Sequence, residues 1–156
     1  MSAITLSSEE KSVLDWVDGE GDSMIAAVRR WSGINSGSRN TDGLKAMQAQ
    51  LKDAFSRLDA RVQTVELAPS ETVTPDGEIK PVEYTPALKV SARPDASVRI
   101  VLTGHSDTVF AVDHPFQTCR DLDSDTLNGP GVADMKGGLL VMLHGLLALE
   151  RSPWGK

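Results

Sequence analysis

The chain has 156 residues, of which 40% are apolar and 24% charged, and a formal net charge of −6. That length suits one domain, and that balance suits a soluble globular chain. The acidic balance and the absence of any Lys/Arg cluster exclude a general nucleic-acid binder.

Met1–Leu6 has neither the basic region nor the apolar core of a signal peptide. No apolar run approaches the roughly 20 residues of a membrane span. Cys119 is the single cysteine, so no internal disulfide forms. Together these features predict a cytoplasmic protein with no membrane partner.

In chain order, Ser7-Ser8-Glu9-Glu10 has the form of a capping box, in which Ser and Glu satisfy each other's free backbone N–H groups. Val13, Leu14, Trp16 and Val17 follow as one apolar stripe, and Gly19 and Gly21 break the helix. It resumes through Met24, Ile25, Val28 and Trp31. Gly33–Asn40 reads as a loop. Leu44, Met47, Leu51, Phe55 and Leu58 recur at helical steps and predict a helix over 41–58, capped by Asn40 or Thr41.

Val62–Leu67 alternates as a strand does. Pro69 to Pro81 reads as an exposed, turn-rich connection. Ala87–Ala92 and Val98–Leu102 predict two more strands, joined by a turn at Pro94-Asp95. The nearly continuous apolar run of the second fits a central strand covered on both faces. Phe116–Arg120 and Thr126–Asn128 pair as a hairpin across Asp121–Asp125. The last helix, about 133–150, is apolar on most sides and predicted to be buried. This order implies an α/β layer structure with a mixed, mainly parallel sheet, helices on both faces, and a site beyond the carboxyl ends of its strands.

The residues that carry chemistry cluster there. His105 follows the expected central strand, and Asp107 faces the same way two residues on. Asp107 can hold one imidazole nitrogen and leave the other for a metal. Asp134 sits at the expected start of the last helix, after the tight turn Gly129-Pro130-Gly131, and its two oxygens can bridge two cations. A phosphate-cradling turn is disfavoured, because neither Gly-x-Gly-x-x-Gly nor Gly-Lys-Ser/Thr is present. Asp121–Asp125 lacks the spacing of a calcium loop. His114 reads as a surface-loop residue that can line a substrate channel, and His144 as a core or interface histidine. Lys136 reads as helix-start capping or a surface salt bridge, and Cys119 as an inert thiol. Trp16 and Trp31 read as core anchors.

Gly104-His105-Ser106-Asp107-Thr108-Val109, together with Gly129-Pro130-Gly131-Val132-Ala133-Asp134-Met135-Lys136-Gly137-Gly138, resembles the dizinc metallopeptidase family. That family includes glutamate carboxypeptidases, aminoacylases, acetylornithine deacetylase and succinyl-diaminopimelate desuccinylase. The form Asn-Gly-Pro-Gly-Val-Ala-Asp looks closest to the glutamate carboxypeptidase branch.

The resemblance implies that residues 1–156 are the N-terminal portion of a three-layer, zinc-exopeptidase-like catalytic domain, with no second domain. It implies His105 and Asp134 as ligands of a two-zinc site, which Co2+ or Mn2+ can also fill, and Asp107 as the catalytic residue that orients His105. It implies a cis peptide after Asp134. The implied reaction is hydrolysis of an amide bond in N-acyl amino acids or in peptides with a free C-terminal carboxylate, by a complete enzyme that can be a homodimer. The family's Glu-Glu general base and its later ligands match no position here. The alternative is therefore an inactive fragment or scaffold piece with at most weak metal binding.

Overall fold

A computed structural model describes residues 5–155; Met1–Ile4 and Lys156, and with them most of the N-terminal reading, lie outside the described residues. Four helices carry the fold: α1 (Ser8–Gly19), α2 (Gly21–Ser32), α3 (Thr41–Phe55) and α4 (Gly137–Arg151). Six strands form three two-stranded antiparallel sheets: β1 (Arg61–Val65) with β4 (Ala87–Ser91), β2 (Ser70–Val73) with β3 (Ile79–Val82), and β5 (Arg120–Asp121) with β6 (Leu127–Asn128).

The helix signals act as read. Ser7 Oγ accepts from Glu10 N–H at 3.1 Å, and Glu10 returns the contact to Ser7 N–H at 2.7 Å, completing the capping box. The break falls at Glu20, between the two glycines. Asn40 caps α3 through Gly43 N–H. Met47, Leu51, Phe55 and Leu58, four of the five expected stripe residues, are buried.

Those residues meet Trp31, Val28 and one side of α4, through Leu139, Leu140, Leu143 and Leu147, in a single core. Helix α1 buries none of its residues and leaves Leu14 49% exposed. Its stripe only lies against the core, where Trp16 stacks on His144 of α4 at 6.4 Å. Val132–Arg151 is apolar and long enough by composition to cross a membrane. A kink at Asp134–Met135 leaves 15 regular residues, about 22 Å of helix against the roughly 30 Å of a bilayer core. Six of those residues are buried, as in a core helix.

The sheet differs from the expectation. Among the described residues there is no mainly parallel sheet; every ladder is antiparallel, and a single parallel bridge joins Gly37 to Thr108. Val98–Leu102 pairs with nothing, and Val98, Ile100 and Val101 are 77–83% exposed. An apolar run becomes a central strand only when neighbours on both sides supply its backbone partners, and this run has none. The 69–81 connection is in fact the β2–β3 hairpin, closed by the turn at Thr74–Glu78. Its β-branched Thr72, Val73 and Ile79 favour extended backbone, and Pro81 is tolerated because a two-stranded ribbon has only edges. The 116–128 hairpin shortens to two pairs, Arg120 with Asn128 and Asp121 with Leu127.

Candidate functional site

His105, Asp107 and Asp134 converge. His105 Nδ1 lies 3.0 Å from Asp107 Oδ1 and 3.1 Å from the Asp107 carbonyl, and its Nε2 lies 2.9 Å from Asp134 Oδ1. The imidazole is therefore held between two carboxylates. Desolvation alone would lower its pKa, but hydrogen bonds to Asp134 and to Asp107, with the charge of Asp107, outweigh it and hold the pKa above the ordinary histidine value. Asp134 is open, with its side chain 87% exposed.

Two loops set this geometry. The first runs from Asn35 to Asn40. Ser36 is fully buried and its Oγ donates to the Ser106 carbonyl at 2.6 Å. Thr108 N–H donates to the Ser36 carbonyl at 2.9 Å, and Ser38 N–H to the Thr108 carbonyl at 3.0 Å. Ser38 Oγ donates to Asp107 Oδ2 at 2.6 Å. The segment bearing His105 and Asp107 is thus laced to the loop between α2 and α3.

The second loop runs from Gly129 to Lys136. Gly131 has φ +69°, where a Cβ would meet the Lys136 stem and the Thr108 methyl at 3.0–3.1 Å, so the turn calls for glycine twice over. The Asp134–Met135 peptide is cis, as the motif implies. Asp134 precedes α4 by three residues and caps no helix N–H, so it stands before the helix and not, as the sequence predicts, at its start.

Lys136 overturns its surface reading. It is fully buried, and its Nζ donates to the carbonyls of Trp31 at 2.9 Å and Ile34 at 2.7 Å. No carboxylate pairs with it among the described residues. Trp31 is in the last turn of α2, where the helix dipole favours a cation. Burial nonetheless pushes the ammonium down to about 8. Through this side chain the Asp134 turn is pinned to the end of α2.

The remaining candidates stay apart from the pair. His114 is exposed, and its Nδ1 accepts from Phe116 N–H. His144 is buried in α4, with Nδ1 on the Leu140 carbonyl and Nε2 3.7 Å from Glu20. Trp31 is a core anchor at 2% exposure, whereas Trp16 is half-buried with Arg151 over its ring. An apolar groove of about 720 Å3 opens beside His105 and Asp107, walled by Leu51 and Phe55 of α3, Leu88 of β4 and Leu139 of α4.

The donor set suits zinc in part. Two ligands at tetrahedral zinc, each about 2.0–2.2 Å from the metal, stand roughly 3.3 Å apart, close to the separation of Nε2 and Oδ1. Among the described residues, no group of three or more His, Cys, Asp or Glu side chains is arranged to hold a metal.

The residues that sequence reasoning missed are Asn35, Ser36 and Ser38. Their signal was the run of small polar side chains in Asn-Ser-Gly-Ser, which looks the same as any solvated loop.

No family model matches the chain, and no curated protein matches it. Among solved structures the chain is similar to human carnosine dipeptidase 1, with a TM-score of 0.66 and 21% sequence identity. The match covers 89% of this chain and 30% of that one, so the chain spans about a third of that protein's length. At this identity the likeness establishes a shared fold over that portion: helices packed with small antiparallel sheets.

Proposed function

We propose that residues 1–156 form the N-terminal part of the catalytic domain of a dizinc metallopeptidase, closest to the glutamate carboxypeptidase branch. The observation that carries this reading is the imidazole of His105 held at Nδ1 by Asp107 and facing Asp134 at Nε2. A histidine whose far nitrogen is fixed by a carboxylate presents the other lone pair in one direction, as metal-binding histidines do. The fold shared with a dipeptidase supports it, since that protein's name implies cleavage of a peptide bond. On this reading Val98–Leu102 takes the place of a central strand in a larger, mainly parallel three-layer sheet.

His105 and Asp134, which face each other, would hold one ion. The exposed Asp134 carboxylate has a second oxygen to offer another. Asp107 orients His105 and balances its charge. Zinc, when bound, supplies a Lewis acid for an amide carbonyl and acidifies water. The substrates proposed are N-acyl amino acids or peptides with a free C-terminal carboxylate, as the motif resemblance implies.

A second reading applies to the chain taken alone. Catalytic zinc takes three protein ligands, and the described residues bring two together. Residues 1–156 by themselves then bind metal weakly and do not hydrolyse amides.

Zinc titration followed by the imidazole NMR signals tests the site. Zinc is expected to perturb His105 before His114 or His144, and His105→Ala or Asp134→Ala to weaken binding by more than about tenfold. Unchanged affinity in both variants would rule the site out.

A further inference from the structure

We propose that Ser38 is a positioning residue for this site: its hydroxyl holds Asp107 in the one orientation from which that carboxylate grips His105. The inference rests on the metal-site reading and extends it to a residue 69 positions away in sequence.

An aspartate carboxylate rotates in a broad, two-fold well about its last torsion. Asp107 is 39% exposed, so water competes for both its oxygens. Each has a protein partner instead. Oδ1 takes His105 Nδ1 at 3.0 Å, and Oδ2 takes Ser38 Oγ at 2.6 Å. That second distance falls in the range of a charge-assisted O–H···O− bond, about twice as strong as a neutral one. A carboxylate pinned at one oxygen cannot turn the other away from the imidazole. Thr108 O, at 3.3 Å, is the competing acceptor for the single hydroxyl proton, and the shorter, charged contact prevails.

Ser38 is itself fixed. Its N–H is bonded to the Thr108 carbonyl, and Ser36, two residues earlier, is bonded to the same strand-like segment through both its backbone and its side chain. Gly37 lies so close to that segment that a Cβ there would stand 2.4 Å from the Phe110 carbonyl oxygen. Asn35 fastens the start of the loop, accepting from Gly37 N–H and donating to Phe110 O at 3.2 Å and Gln117 Oε1 at 2.8 Å. The hydroxyl is therefore delivered by a braced loop.

The side chain of Ser38 is exposed, so a substitution there changes folding stability little. Its effect on metal affinity then separates positioning from a structural role. Zinc titrations of the 156-residue chain, read by calorimetry in every variant and also on the His105 imidazole where it is present, are compared for wild type, Ser38→Thr, Ser38→Val and His105→Ala. Thr and Val share one shape and differ in the hydroxyl. We expect Ser38→Val to bind zinc about tenfold more weakly and to lose the downfield Nδ1–H signal of zinc-loaded His105 through faster exchange. Ser38→Thr is expected to stay within about twofold of wild type, and all variants but His105→Ala to share one urea midpoint. If Ser38→Val and Ser38→Thr bind equally while His105→Ala loses zinc, the positioning role is wrong and the metal site stands. If His105→Ala also binds as wild type does, the metal-site reading fails first.

Discussion

At the scale of single residues, the site is a chain of dependence from Ser38 through Asp107 and His105 to Asp134. His105 and Asp107 were legible in the sequence because their spacing is local: His-x-Asp puts both side chains on one side of extended backbone, whereas Asp134, 29 residues after His105, was legible only through the motif its Gly-rich turn resembles. The serine was not, because its bond is made across 69 residues.

Lys136 teaches the same point more sharply. From sequence it is a lysine near a helix start, a surface group by default; in the fold it is fully buried between two carbonyls. Below pH 8 both folded and unfolded chains hold its proton, so folding there bears the full cost of burying the charge. Between about 8 and 10.5 the folded chain releases the proton and the unfolded chain keeps it, so stability rises with pH. A gap of this size corresponds to about 3 kcal/mol at most, and the two carbonyl bonds, which favour the cation, work against it. Urea unfolding from pH 7 to 10.5 should show the midpoint climbing across that window in wild type and not in Lys136→Met. A flat wild-type profile, or the same climb in the variant, would contradict this account.

At the scale of elements, the helices were the readable part. The capping box, the glycine break and the stripe of α3 each depend on contacts within four residues, and each appears where the pattern puts it. Helix α4 was read correctly as apolar, but Val141 and Leu149 stay 64% and 45% exposed, because the chain covers only part of its circumference. Val98–Leu102 is the main departure. Its apolar run was read as a covered strand, yet Ile100 is 81% exposed and the backbone is unpaired. An exposed apolar segment with unpaired backbone is a template for pairing with another chain. Residues 1–156 should therefore self-associate with rising concentration in sedimentation velocity, and Ile100→Lys, which places a charge on that edge, should shift the distribution towards monomer. A wild-type chain that stays monomeric at high concentration would remove the segment from consideration.

At the scale of the whole molecule, the structural likeness covers 89% of this chain but 30% of the dipeptidase it resembles. The present chain brings His105 and Asp134, the two proposed metal donors, together. Incubated with zinc and N-acyl amino acids or dipeptides, it should give no amide hydrolysis above the metal-only background. Zinc-dependent turnover that is lost in Asp134→Ala would show instead that this chain completes a catalytic site.

The sequence alone determined what acts over short range: where three helices start or stop, which residues form the stripe of α3, and that His105 and Asp107 face the same way. These depend on hydrogen bonds and periodicities contained within a few residues, and solvent exposure does not change them. Only the tertiary structure decided that Ser38 holds Asp107, that Lys136 is buried at the end of α2, and that the apolar run 98–102 lies unpaired. Each of those outcomes depends on which distant backbone arrives alongside, over separations of 69 to 105 residues for the two side chains. A local pattern carries no information about that arrival.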